Sequence, residues 1–216
     1  MKENILLLNG STRIKGNSLH ICESLSQIFT NKGVKVEIES IQEHFNKKDI
    51  EKLEEHFRKA DVIGLVAPLY VDAFPYPVIA FLEEIHERFG EILKCKSLFM
   101  IGQCNFPESR RVTPMILSCE CFAKEVDMKF LGAMAYGGSV VRLEGRTLEE
   151  TGKEGERMIK AMDMMADEIL SNKEISEKSK DLFKNDIPKF IHRPFTVIAN
   201  IMLKQSRKKY MTHNNN

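Results

Sequence analysis

Ile5-Leu6-Leu7-Leu8-Asn9-Gly10-Ser11-Thr12-Arg13-Ile14-Lys15-Gly16-Asn17-Ser18 is the stretch that decides the fold. Its four consecutive apolar residues, closed by Asn-Gly, read as a short strand buried on both faces. Beyond the polar loop, Leu19, Cys22, Leu25, Ile28 and Phe29 recur at helical spacing, and Asn31-Lys32-Gly33 supplies a stop. A doubly buried strand feeding a helix through a short loop is the opening unit of a parallel α/β sheet.

The unit repeats downstream. Val34, Val36 and Ile38 alternate with charged residues, as a half-buried strand does, and Ile50, Leu53, Phe57 and Ala60 predict a second helix. Residues 61–66 read as a third strand ending at Ala67-Pro68. Pro75 and Pro77 suit the entrance of a third helix, where a missing N–H breaks no intrahelical bond. That helix points Val78, Phe81, Leu82, Ile85 and Phe89 inward. Residues 97–101 form a fourth strand, 113–126 a fourth helix, 130–135 a fifth strand and 151–170 a fifth helix. Met158, Met162, Met165, Ala166 and Ile169 give that last helix an apolar core face. Alternation of this kind predicts a doubly wound five-stranded parallel sheet with helices on both faces.

The pattern stops after Leu170. Residues 176–213 hold nine Lys/Arg against three Asp/Glu, and Pro188 and Pro194 interrupt them. The chain therefore divides into a core domain, 1–172, and a basic C-terminal extension, 173–216, expected as a helical or irregular appendage. It is read as packing across the domain, a partner subunit or the mouth of the site, against the plainer reading of a frayed tail.

Bulk properties narrow the class. The 216 residues are 43% hydrophobic and 29% charged, with a formal net charge of +1, which gives no pull toward nucleic acid. Five scattered cysteines resemble no secreted disulfide framework, and a cytoplasmic location is expected. The start of the chain lacks the apolar region of a signal peptide. The longest apolar run near the other end, 195–203, is roughly half a membrane span; basic residues flank its apolar patch, which leaves a membrane-surface role as the weaker reading, but nothing marks a lipid anchor and no membrane partner is expected.

In an open parallel sheet ligands sit at the carboxyl ends of the strands, where the strand order reverses. The loops after Leu8, Val66 and Ile101 are the ones to inspect. The first is built for an anion. Ser11, Thr12, Asn17 and Ser18 bring donors, Arg13 and Lys15 bring charge, and Gly10 and Gly16 allow tight backbone geometry. Asn17 or Ser18 is placed to cap the following helix, whose N–H groups face the ligand. The loop is neither a Walker A motif nor G-x-G-x-x-G.

Gly10-Ser11-Thr12-Arg13-Ile14-Lys15-Gly16-Asn17-Ser18 resembles the G-S-x-R-x-x-[GS]-N-[ST] signature of NAD(P)H-dependent FMN reductases, a branch of the flavodoxin superfamily. Ala67-Pro68-Leu69-Tyr70-Val71-Asp72-Ala73-Phe74-Pro75 is similar to that family's S-P-I-Y-W stretch, which also follows the third strand. The resemblance spans residues 3–170 and implies a flavodoxin-like fold. It implies that Ser11, Arg13, Asn17 and Ser18, with Gly16 in the same turn, hold the FMN phosphate. Pro68, Leu69, Tyr70 and Val71 would lie along the ribityl chain and one edge of the isoalloxazine. Gln103, Cys104 and Asn105 of the third loop would approach its pyrimidine side, where donors favour the reduced flavin; the backbone of Tyr136-Gly137-Gly138-Ser139 either joins that rim or, with its two adjacent glycines, serves only a turn. The implied activity is hydride transfer from NADPH or NADH through FMN to a small acceptor, in a homodimer. Val71 stands where many relatives have Trp, and the cysteine cluster of iron–sulfur flavoproteins is absent.

No catalytic side chain is required for flavin reduction; Tyr70 and His192 are polar groups able to protonate an acceptor. The alternative is a non-catalytic electron carrier, against which the near-neutral charge argues. Cys104 and Arg110 have the spacing of a phosphatase cradle, but the segment between them lacks glycine and includes Pro107 and Glu108. Cys119-Glu120-Cys121 and the dispersed histidines form no metal-ligand spacing.

Overall fold

The computed structural model of the chain describes residues 4–13, 15–143 and 146–213, and of Leu203 and 206–213 only the backbone. Met1 to Glu3, Ile14 and the terminal asparagines lie outside the described residues. Five strands, β1 (Asn4–Asn9), β2 (Lys35–Ser40), β3 (Val62–Pro68), β4 (Ser97–Gln103) and β5 (Lys129–Tyr136), form one sheet in the order β2-β1-β3-β4-β5. Every neighbouring pair is parallel. This is the flavodoxin-like order, with its reversal point between β1 and β3.

The apolar run in β1 explains the layers. Ile5 and Leu7 point to one face, where they meet Ile21, Leu25 and Phe29 of α1 (Asn17–Asn31) and Met158, Met162 and Met165 of α7 (Lys153–Leu170). Leu6 and Leu8 point to the other. There they join Ile41 of α2 (Ile41–Lys47), Phe57 of α3 (Glu54–Lys59), Phe81 and Ile85 of α4 (Tyr76–Leu93), and Met115 of α5 (Thr113–Glu125). Burying each such side chain contributes about 1.5–3 kcal/mol, so a strand sandwiched on both sides has no room for polar alternation.

Two details differ from the sequence reading. The helix expected from Ile50 begins as a 3-10 turn, Ile50–Leu53, before α3. Helix α2 was not expected. Ser40 caps it by accepting the Glu43 N–H at 3.4 Å, and Lys48 ends it in the left-handed region at φ 52°. The Ser40-x-x-Glu43 spacing of a capping box was its signal.

The segment after α7 folds back on the sheet instead of fraying. Ile175 N–H donates to Leu131 O at 2.8 Å, and Phe183 of α8 (Glu177–Phe183) is buried with its ring 5.9 Å from that of Tyr136. A last helix, α9 (His192–His213), rests Phe195 and Ala199 on Ile187 and on Val140 of the short α6 (Ser139–Arg142).

Candidate functional site

The loop after β1 is drawn against β3. Gly10 N–H donates to Val66 O at 2.8 Å, and a Cβ at Gly10 would stand 2.9 Å from Ala67 Cβ and 3.0 Å from Val78 Cγ2. Only glycine fits without a shift. The loop then folds on its own polar groups: Asn9 Oδ1 accepts the Ser11 N–H, and Ser11 Oγ accepts the Arg13 N–H, both at 3.1 Å. Ser11 and Ser18 are buried, while Arg13, Gly16 and Asn17 are half-buried. Two expectations are corrected here. Neither Asn17 nor Ser18 caps α1: the N-cap is Gly16, with no side-chain cap bond. Gly16 is also plainly extended at φ 179°, a conformation open to any residue. An uncapped first turn leaves its N–H dipoles directed at the rim.

The second loop leaves β3 at Pro68, and Leu69 N–H donates to Gln103 O at 2.8 Å. Tyr70 and Ala73 exchange main-chain bonds of 2.9 and 3.1 Å across a turn whose tip, Val71 and Asp72, has φ of 50° and 60°. Val71 is 95% exposed. A β-branched residue in the left-handed region is strained, and it persists because the surrounding contacts fix the turn. The Tyr70 hydroxyl lies 3.0 Å from Thr12 Oγ1, which ties the second loop to the first. The buried Gln103 donates from its amide to Ser18 Oγ at 3.3 Å, which ties the end of β4 to the start of α1.

The remaining candidates are already committed to the protein. Cys104 N–H donates to Tyr136 O at 2.9 Å, and its buried thiol points at the carbonyls of Phe106 and Glu108, 3.7 and 3.6 Å away. Burial pushes that thiol up to about 11, which rules it out as a thiolate nucleophile near neutrality. Arg110 turns outward and pairs with Glu108 at 3.3 Å, so no phosphatase cradle forms. Asn105 Oδ1 accepts the Ser139 hydroxyl at 2.8 Å.

The loop after β5 takes the second of its two readings, a turn whose N–H groups are spent within the protein. Gly137 N–H donates to Asn185 O, Gly138 N–H to Phe106 O and Ser139 N–H to Cys104 O, at 3.1, 2.7 and 3.0 Å. The C-terminal segment takes the first of these and fastens the rest of the rim. Asn185 also donates to Gly137 O, Asp186 accepts both the N–H and the hydroxyl of Ser109 at 2.6 and 2.7 Å, and Ile187 N–H donates to Pro107 O. His192 is spent holding this segment, Nε2 to Ile187 O at 2.7 Å.

Behind β5 lies a network that the sequence did not reveal. Tyr136 OH donates to Glu154 at 2.7 Å, Arg157 pairs with the same carboxylate at 2.6 Å and donates to Lys184 O at 2.7 Å. Burial alone would raise Glu154, but the Arg157 and Tyr136 hydrogen bonds outweigh it and hold the carboxyl below its ordinary range. Asp186 behaves alike: burial opposes ionisation, and the Ser109 and Lys184 contacts overcome it.

At the opposite, amino ends of the strands, concavities are lined by Lys35, Glu37, His56 and Lys59 and by Lys94, Lys96 and Lys129. Lys96 and Lys129 there cap the carbonyls of Ala60 and Asn172, at 2.6 and 2.8 Å. Among the described residues no cluster of ligating side chains could hold a metal ion.

Strand order and the convergence of loops at its reversal point define a flavodoxin-like α/β protein. No family model and no curated protein matches the sequence. Solved structures do. A NADPH-quinone reductase from P. pentosaceus is 16% identical with TM-score 0.53, covering 77% of this chain and 98% of that one. An NADH:FMN oxidoreductase in its apo form is 12% identical with TM-score 0.57, covering 82% and 94%. General stress protein 14 of Treponema denticola, in complex with FMN, is 12% identical with TM-score 0.51, covering 75% and 99%. At these identities the likeness is one of fold.

Proposed function

We propose that the chain is an FMN-dependent oxidoreductase that takes hydride from NADPH or NADH and passes electrons to a small acceptor of the quinone, nitro or azo class. The observation that carries the reading is the meeting of Tyr70 with Thr12 at 3.0 Å, since it joins the two loops that bear the family resemblance at the reversal point of the sheet. Names of similar folds, among them a quinone reductase, an NADH:FMN oxidoreductase and an FMN complex, support it.

The donor set fits the phosphate end of FMN. An uncapped α1 N-terminus, the Ser11 to Ser18 turn and a glycine that lets the loop press on β3 suit a compact dianion. In this reading Ser11, Arg13, Gly16, Asn17 and Ser18 hold the phosphate, and Pro68, Leu69, Tyr70 and Val71 flank the ribityl chain and ring. Gln103, Cys104 and Asn105 shape the far edge, more by packing than by donation. When bound, FMN supplies hydride acceptance and delivery. The chain's residues orient it and restrict access; no side chain is assigned proton transfer. Residues 1–172 form the cofactor unit and 173–216 the extension, in a cytoplasmic homodimer without a nucleic-acid partner.

Titration of the purified chain with FMN, followed by flavin fluorescence, tests this. Asn17→Glu with Arg13→Glu is expected to weaken binding at least roughly tenfold, the effect of losing a charge-assisted contact. No FMN binding by the unaltered chain overturns the reading. Binding without NAD(P)H oxidation in the presence of a quinone would make the chain an electron carrier instead.

A further inference from the structure

Outside the site, the largest group of exposed apolar side chains lies on the C-terminal segment. Phe190 is 85% exposed, Val197 59%, Ile198 48% and Ile201 51%. Pro194, Val197, Ile198 and Ile201 follow one another at three- and four-residue steps, so they share one stripe of α9. Phe195 and Ala199, the residues that seat α9 on α6, belong to a different stripe. The helix is thus apolar on two faces, and only one is covered by the fold.

Charge identifies what covers the other. From 187 to 213 the sequence has six cations, Lys189, Arg193, Lys204, Arg207, Lys208 and Lys209, and no Asp or Glu. Arg193 and Lys204 border the exposed stripe on one side by helical position. A two-fold contact through this face would bring the cations of two copies together with no acid to offset them. Nucleic acid would match the charge but not the apolar stripe. Phe190, in the turn just before α9, adds a further exposed ring to this segment.

We propose that the outer face of α9, with Phe190, docks on an anionic lipid bilayer. The apolar stripe would sit among the acyl-chain ends of the headgroup layer, and the flanking cations would meet lipid phosphates. This revives the weaker reading of the segment, because with Phe195 and Ala199 holding the neighbouring face the outer stripe is left exposed. Among the described residues no helix is long and apolar enough to cross a membrane, so the contact is superficial. It does not depend on the proposed flavin chemistry.

Co-sedimentation of the full chain with vesicles decides it. The expected result is binding to phosphatidylcholine vesicles containing phosphatidylglycerol, little binding to phosphatidylcholine alone, and a steep loss as salt rises. Ile198→Asp with Ile201→Asp should abolish binding while leaving thermal unfolding unchanged, since both side chains face outward. Arg193→Gln with Lys204→Gln should weaken it at least roughly tenfold. Equal binding to both vesicle types, or retention by the aspartate variant, overturns the proposal. So does equally strong binding to soluble polyglutamate that the aspartates leave unaffected, which would mean charge alone. A dimer that the aspartates dissociate, without vesicle binding, would assign the face to a second copy.

Discussion

The two halves of the carboxyl rim use the same kind of element in opposite ways. After β1 a polar loop enters α1 with no side-chain cap, and its neighbours reach it through side chains, Tyr70 to Thr12 and Gln103 to Ser18. After β5 a Gly-Gly turn enters α6, and its N–H groups are all taken, one of them by the returning C-terminal segment. One half keeps an uncapped helix start beside a loop folded on its own polar side chains. The other has become packing. A glycine-containing strand-to-helix turn is therefore no evidence of a site until the destination of its N–H groups is known.

The closed half can be broken most severely at Gly137. A Cβ there would stand 2.6 Å from Asn185 O and 2.9 Å from Ser109 N, both backbone atoms that cannot swing aside. Gly137→Val is expected to cost about 2–3 kcal/mol in urea unfolding and to open residues 184–189 to protease, while the FMN titration changes far less. Acid should loosen the same half. Glu154 and Asp186 are both held below their ordinary values of 4.5 and 3.8, so their contribution is complete above those values and disappears as pH falls through the folded ones. Proteolysis of 184–189 should rise below pH 4.5, and Glu154→Gln with Asp186→Asn should flatten that rise while lowering stability at neutral pH.

The open half offers a gain instead. Val71→Asn with Asp72→Gly puts residues suited to positive φ at the tip of the turn and should stabilise the chain by about 1 kcal/mol, read from thermal unfolding. If Val71 packs on the flavin, the same variant will weaken FMN binding. Smallest of all is the effect of Cys104→Ala on turnover, a slight loss from packing at the far edge of the site. In the unaltered chain iodoacetamide at neutral pH should label the exposed Cys95 and Cys121 and spare Cys104.

What the sequence revealed follows from where the information is local. β1 was legible because burial on both faces leaves an uninterrupted apolar run, and α7 because its methionines keep helical spacing. Helix α2 was written in the Ser40–Glu43 spacing and overlooked, since so short a helix has no apolar periodicity to draw attention. The loops at Gly10 and Pro68 could be found from residue type, while the Thr12–Tyr70 contact that joins them could not. Nor could the closure of the β5 turn. Asn185, Asp186 and Ile187 act there through main-chain bonds, one amide and one carboxylate, which leave no pattern to read. Glu154 looked like any surface acid until Tyr136 was placed beside it.

The exchange between Gly137 and Asn185 has a consequence for how this chain can change. Cutting it after α7 would keep every strand, yet it would strand the Gly137 and Ser109 N–H groups and bare Val140. The tail is thus divided between two tolerances. Positions 183–187 are tied to the scaffold and admit few alternatives. The outward residues of α9 can vary without disturbing anything beneath them, and can be retuned to a new surroundings while the loops after β1 and β3 stay as they are.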